Sequence, residues 1–267
     1  MTARKLLESA ETKLKSLGIS SAKLDAEIML AYILKTDRSR LLAHLEKSPT
    51  AVDARRFDVL VQKRLRRIPL SQIIHQKQFY GLDFYINKHV LTPRAETEKM
   101  VELAIKYTPK NAHLLDVGTG CGAIAIAIAK QRPDLKVTAT DVSRLALAIA
   151  IKNARLHQVD IKFHESNLLD CIKGEFSAVT ANLPYLEDKA DLMPEVKHEP
   201  RVALLGGNDG LRLYREFFTQ LPPHLEQDAY VFTESDPWQQ EVLVEEAAKI
   251  GLKPIKKEYF ITVLGRS

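Results

Sequence analysis

LLDVGTGCGAIAIAIAK, residues Leu114 to Lys130, decides the fold: an apolar strand runs into three glycines and leaves them as an Ile/Ala run. Gly118, Gly120 and Gly122 follow the strand directly, and a Gly-x-Gly turn lets backbone approach a ligand where a Cβ would collide. The run AIAIAIA alternates at period two and so could be a buried strand. Its length of about ten residues, between the glycines and Arg132-Pro133, predicts instead a helix lying flat on a sheet. The N-terminus of that helix presents unpaired N–H groups, so a ligand is expected over the carboxyl end of the strand.

Outward from this unit the pattern alternates. Helices are predicted over 96–107, 122–131, 143–157, 210–220 and 239–250, and strands over 113–117, 136–140, 160–165, 177–182 and 229–234, with two closing strands near 253–264. Such an order predicts an α/β fold with a mostly parallel sheet covered by helices on both faces. The segments TARKLLESAETKLKSLG, SSAKLDAEIMLAYIL and AVDARRFDVLVQKRLRR are helical in pattern, so residues 1–74 are expected to form a small bundle of four or five helices. Residues 75–95, with Phe79, Tyr80, Phe84, Tyr85 and Ile86 around Gly81-Leu82-Asp83, read as a β-hairpin linker. Residues 96–267 are then the α/β domain.

Of the 267 residues 45% are hydrophobic and 27% charged, and no run of eighteen apolar residues occurs, which excludes a membrane span. The first residues carry too many charges for a secretory signal, and a cytoplasmic monomer is expected. Cys121 and Cys171 have no metal-ligand spacing, so neither a metal site nor a disulfide is expected. The net charge of +5 is uneven: residues 1–75 hold fifteen Lys/Arg against eight Asp/Glu. The run QKRLRR, with Lys63, Arg64, Arg66 and Arg67, can be an RNA footprint, a solvated helix face or a docking face for an acidic protein.

The acids around the glycines define the ligand. Asp116 stands two residues before Gly118, and the spacing G-x-G-x-G differs from the G-x-G-x-x-G of dinucleotide proteins. Asp116 can serve an ammonium group. Asp141, closing the next strand at TATD, can accept from both hydroxyls of a ribose. Thr119, Cys121 and Gly122 complete the loop, where backbone matters more than side chain. Asn167 and Leu168, in HESNLLD, are candidates for contacts to an adenine. A nucleoside carrying an amino acid is S-adenosylmethionine, with S-adenosylhomocysteine as product. The competing reading is a tight turn at the glycines and a helix cap at Asp141.

VTANLPYLED, Val179 to Asp188, ends a further strand on Asn182, Leu183, Pro184 and Tyr185. With VLTPRAETEKMVE, LLDVGTGCGAIAIAIA, HEPRVALLGGNDGL and the closing VLGR, the whole chain resembles the release factor glutamine methyltransferases of bacteria. The resemblance implies a helical N-terminal domain, a hairpin linker and a Rossmann-like class I S-adenosylmethionine-dependent methyltransferase domain with a seven-stranded, mostly parallel sheet. It implies methylation of the side-chain nitrogen N5 of the glutamine in the Gly-Gly-Gln motif of class 1 peptide-chain release factors. It assigns Gly118 to Gly122, Asp141 and Leu168 to the cofactor, and Asn182, Leu183, Pro184 and Tyr185 to the substrate. Three positions depart from the family pattern: Leu183 replaces the first proline of Asn-Pro-Pro-Tyr, Asn167 replaces an acid, and TESDPW retains only Glu234 of its usual motif.

The chemistry of an amide nucleophile suits these groups. Its lone pair is delocalised, and two acceptors aimed at its two N–H bonds would orient the nitrogen and stabilise developing positive charge. Asn182 Oδ1 offers one acceptor and the Leu183 carbonyl the other, while Asn182 also borders the cofactor. Pro184 holds Leu183 extended and so aims that carbonyl. Tyr185 would wall the slot. A general base is not obligatory. The same slot suits N6 of adenine, so an RNA or DNA adenine methyltransferase is the alternative, and a cofactor-binding protein without activity is a third reading. His198 and Glu199 are expected at the substrate mouth.

Overall fold

Apolar residues at helical spacing build five helices in the first part of the chain: α1 (Ala3–Ser16), α2 (Ala22–Leu34), α3 (Arg38–Ala43), α4 (Ala51–Leu65) and α5 (Leu70–Ile74). This computed structural model describes residues 1–266. The side chains of Thr2, Asp37 and Thr50 cap α1, α3 and α4 by accepting a backbone N–H of the first turn, the expected work of short polar residues at that position. Leu7 and Leu14 of α1, Met29 and Leu30 of α2, and Phe57 and Val61 of α4 share one buried core.

These helices, residues Met1–His75, cluster with a second segment, Leu192–His198. Glu195 in that segment accepts from Arg64 Nη1 at 2.9 Å, and Arg64 Nε donates to Asp25 at 2.6 Å. Arg64 and Asp25 are both almost fully buried, so the pair needs both partners: either charge left alone inside would be costly. Arg67 also pairs with Glu195. The basic run read from the sequence is therefore corrected: Arg64 is a buried structural cation, Arg67 is neutralised, and only Lys63 and Arg66 are exposed.

The second unit holds residues Gln76–Asp191 and 199–266. It begins with a short hairpin, β1 (Lys77–Phe79) and β2 (Leu82–Phe84). Phe79, Phe84, Ile86 and Val90 join the same core as α6 (Glu98–Tyr107) and α7 (Ala123–Gln131), so the segment read as a linker is packed into this unit. The sheet strands are β3 (His113–Val117), β4 (Lys136–Asp141), β5 (Ile161–Glu165), β6 (Phe176–Ala181), β7 (Leu225–Glu234), β8 (Leu252–Glu258) and β9 (Ile261–Arg266). The remaining helices are α8 (Arg144–His157), α9 (Arg212–Gln220) and α10 (Gln240–Ala248).

The order across the sheet is β5-β4-β3-β6-β7-β9-β8. The first five strands are parallel, and β9 runs antiparallel between β7 and β8. β6 is buried at every residue, as a parallel strand covered on both faces must be. The Ile/Ala run forms α7, buried from Ala123 to Ile128, and it stops at Arg132 because Pro133 disfavours helical backbone before it. Strand order reverses between β3 and β6, so the loops after these two strands diverge and leave a crevice at their carboxyl ends.

Candidate active site at the carboxyl ends of the strands

A cavity of about 440 Å³ opens in that crevice, walled by Gly118, Gly120, Asp141, Leu168, Asn182 and Pro184. Asn167 and Leu183 also line it. The loops after β3, β4, β5 and β6 thus converge on one space.

The three glycines of the first loop serve different ends. All have positive φ, which L side chains rarely adopt. At Gly120 an added Cβ would meet nothing within 4 Å, so the backbone itself borders the cavity. At Gly118 it would press on Leu183 Cδ2 at 3.1 Å. At Gly122 it would collide with Ile126 at 2.8 Å and Ala150 at 3.2 Å, so this glycine lets α7 and α8 pack. Asn153, fully buried on α8, donates to Cys121 O at 2.9 Å and pairs with both backbone groups of Tyr85, tying the loop down from below.

Asp141 closes β4 at the cavity wall. Its Oδ2 accepts from Gly120 N and its Oδ1 from Ser143 N, each at 2.8 Å. Burial raises its pKa against these backbone hydrogen bonds. A carboxylate has acceptor capacity beyond two hydrogen bonds, so ribose hydroxyls can still be received. Asp116 lies elsewhere than expected: it is almost fully buried beneath the loop and absent from the cavity wall. Its Oδ1 accepts from Thr180 Oγ1 at 2.7 Å, while its Oδ2 and Thr119 Oγ1 have no hydrogen-bond partner. Burial pushes the Asp116 carboxyl up to about 6. An acid with one unpartnered oxygen under a glycine loop, a ribose-type acid on the wall and an open Gly120 fit a nucleoside that carries an ammonium group. Burial likewise holds the Cys121 thiol at about 12, so its sulfur is inert and only its backbone matters.

Asn182 to Tyr185 leave the end of β6 under unusually complete restraint. The Tyr214 hydroxyl, from the buried face of α9, accepts from Leu183 N at 3.3 Å and reaches Ala181 O at 2.9 Å and Glu234 O. One phenol thus links the ends of β6 and β7. Leu183 turns its side chain into the apolar core with Val117, Leu168 and Tyr214. Gly206 and Gly210 seat this loop from above: an added Cβ would lie 2.4 Å from Pro184 O at Gly206 and 2.0 Å from Tyr185 O at Gly210. Gln239 Nε2 also donates to Tyr185 O. Asn182 Nδ2 donates to Thr97 Oγ1 at 3.3 Å. Tyr185 stands beside Glu234 rather than on the cavity wall, and burial with the Glu234 and Asp236 charges raises its pKa.

The expectation for His198 and Glu199 is overturned. His198 belongs to the helical unit, where its Nε2 meets Arg66 O. Glu199 is buried and clamps the segment before α6, accepting from Thr92 N at 3.2 Å and pairing with Arg94. The residues after them, Pro200 to Ala203, line the cavity instead. Thr97, Asn153, Tyr214 and Gln239 carried no signal in the sequence, because each acts on a backbone or side chain far away along the chain.

Residues 5–74 match the family described as PrmC N-terminal domain, and residues 97–200 match the Methyltransferase small domain. A release factor glutamine methyltransferase of Geobacter sulfurreducens is 34% identical, covering 94% of this chain and 89% of its own. A solved methyltransferase structure from Pyrococcus furiosus superposes with a TM-score of 0.56 at 19% identity, covering 76% of this chain and 98% of that one. A 16S rRNA methyltransferase of T. thermophilus, solved in complex with AdoMet and guanosine, superposes at 0.51 with 14% identity over 72% of this chain and 49% of its own. The two structural likenesses speak for the fold, which is that of a class I methyltransferase. Given its identity to the Geobacter enzyme over nearly the full length of both, the chain belongs to the release factor glutamine methyltransferase family.

Proposed function

We propose that this protein transfers a methyl group from S-adenosylmethionine to N5 of the glutamine in the Gly-Gly-Gln motif of class 1 peptide-chain release factors. The observation that carries the reading is Asn182: a carboxamide at the end of β6, on the wall of the cavity, with its Nδ2 already engaged by Thr97. Its Oδ1 is the acceptor left for an N–H of the substrate.

When bound, S-adenosylmethionine supplies a sulfonium methyl that is already strongly electrophilic. Asp141 and the Gly118–Gly122 backbone would hold its ribose and amino-acid parts, with Asp116 and Thr119 answering its ammonium through the loop. Asn167 and Leu168 would border its base. Asn182 Oδ1 and the Leu183 carbonyl receive the two N–H bonds of the glutamine amide, which turns the nitrogen lone pair toward the methyl position. Pro184, Gly206 and the Tyr214 hydroxyl hold those acceptors in place, so little reorganisation accompanies charge development at nitrogen. Leu183 replaces a side chain where the chemistry uses a carbonyl, and its isobutyl group is absorbed by the core.

Incubation with methyl-labelled cofactor and either a full-length release factor or ribosomal RNA, followed by mass mapping, tests the reading. Label on the Gly-Gly-Gln glutamine is expected, and label on adenine would replace this substrate with a nucleobase. Asn182→Ala should lower turnover by about 100-fold or more while cofactor binding persists; unchanged turnover would remove Asn182 from the site.

A further inference from the structure

We propose that Glu234 is a positioning residue for this site: together with Thr97, it fixes which end of the Asn182 carboxamide faces the substrate. The inference rests on the reading of Asn182 Oδ1 as the substrate's acceptor.

A carboxamide fits its pocket in two orientations that exchange a donor for an acceptor, and only its neighbours choose between them. Glu234 ends β7 beside β6 and is almost fully buried. Ala181 pairs with Thr233, so Asn182 and Glu234 leave the two strands side by side; Thr97, Asn182 and Tyr185 act on its carboxyl, whose Oε2 has no hydrogen-bond partner. A threonine hydroxyl has a single proton. While Thr97 gives that proton to a carboxylate, it can meet Asn182 only as an acceptor, and Nδ2 must be the atom it meets. An ionised carboxyl has no proton to return, so the direction of both hydrogen bonds is set from Glu234 outward. Nδ2 is held inward, and Oδ1 is the atom released to the substrate.

The charged surroundings bear on this state. The Glu234 carboxyl is raised to about 7, by burial first, against the Thr97, Asn182 and Tyr185 contacts that lower it, with the Glu96 charge adding to the rise. The Tyr214 phenol packs from α9, and Asp236 and Arg94 act on the neighbouring Tyr185. Once protonated, Glu234 can donate to Thr97, which frees the threonine proton for Asn182 Oδ1 and turns the carboxamide the wrong way.

Three isosteric or near-isosteric variants test the inference, with release factor as substrate. Glu234→Gln keeps the shape but gains donors, and kcat should fall about 10- to 100-fold with KM and the cofactor dissociation constant unchanged. Glu234→Asp, shorter but again able only to accept, should recover part of kcat. Thr97→Val, which leaves the carboxyl in place and removes one acceptor from Asn182 Nδ2, should lower kcat in the same direction but less than the Gln variant. In the parent protein kcat should fall as pH drops through the titration of Glu234, and that limb should vanish in Glu234→Gln. Wild-type kcat and pH profile in Glu234→Gln, or a Gln variant as active as the Asp variant, overturns the positioning role. Full turnover in Asn182→Ala instead overturns the reading on which it rests.

Discussion

The protein has two glycine loops that look alike in sequence and do different work. GTGCG, residues 118–122, is built around positive φ, and its middle glycine borders an open cavity. GGNDG, residues 206–210, is absent from the wall of that cavity. Its first and last glycines touch backbone oxygens of Pro184 and Tyr185 more closely than any Cβ permits. One loop shapes a cavity wall, and the other presses the Asn182–Tyr185 segment into shape. Glycine therefore marks close approach, and the partner approached, ligand or backbone, decides what its loss costs.

Gly210→Ala should have the largest effect. A Cβ 2.0 Å from Tyr185 O forces the Asn182–Tyr185 loop to move, and positive φ adds strain, together about 3–5 kcal/mol of stability. Urea unfolding measures the loss, and stability near the parent value would show that this loop tolerates displacement.

Beneath the first loop, Asp116 gives the next effect. Its carboxyl titrates near 6 in the fold against 3.8 ordinarily, so between these values the folded state holds a proton that the unfolded chain has released. Stability is then full below about pH 4 and declines as pH rises to about 6, by roughly 3 kcal/mol. Asp116→Asn should abolish that decline and be the more stable protein at pH 7, its amide supplying a donor for Thr119 Oγ1. A parallel pH dependence in both proteins, by denaturant midpoints, would place the titration elsewhere.

Tyr214→Phe removes the hydroxyl that links the β6 and β7 ends while leaving the ring in the core. About 1–2 kcal/mol of stability should go, with a larger fractional loss in kcat than in cofactor binding. Equal losses in both would mean that the phenol serves the fold rather than the tetrapeptide.

Gly120→Ala should perturb stability least, by about 1 kcal/mol, since only φ opposes it. Its mark should be a cofactor affinity lowered about tenfold by the methyl group facing the cavity. If calorimetry finds the affinity intact, the two loops are not as different in purpose as their geometry suggests.

Much of the site's location was legible, and much of its support was not. Asp141, Leu168 and Asn182 could be named because each closes a strand or follows one by at most three residues, and parallel strands end on one side of a sheet. Glu199 misled because HEPRVAL is one continuous string while its residues face different ways: His198 joins the helices, Glu199 holds Thr92 and Arg94, and Pro200 onward meets the cavity. Arg64 misled in the same manner, as a basic run shows charge but not the buried Asp25 and Glu195 that absorb it.

Alternating strand and helix patterns, the capping residues and the glycines by themselves determined a doubly wound sheet preceded by helices, because local backbone preference and hydrophobic period are written along the chain. Tertiary structure alone decided which partner each buried polar group meets. Tyr214 reaching Leu183, Asn153 reaching Cys121, and Asn182 reaching Thr97 span 31, 32 and 85 residues of chain. A hydrogen bond in the interior depends on position to a few tenths of an ångström, and no local preference carries information at that separation.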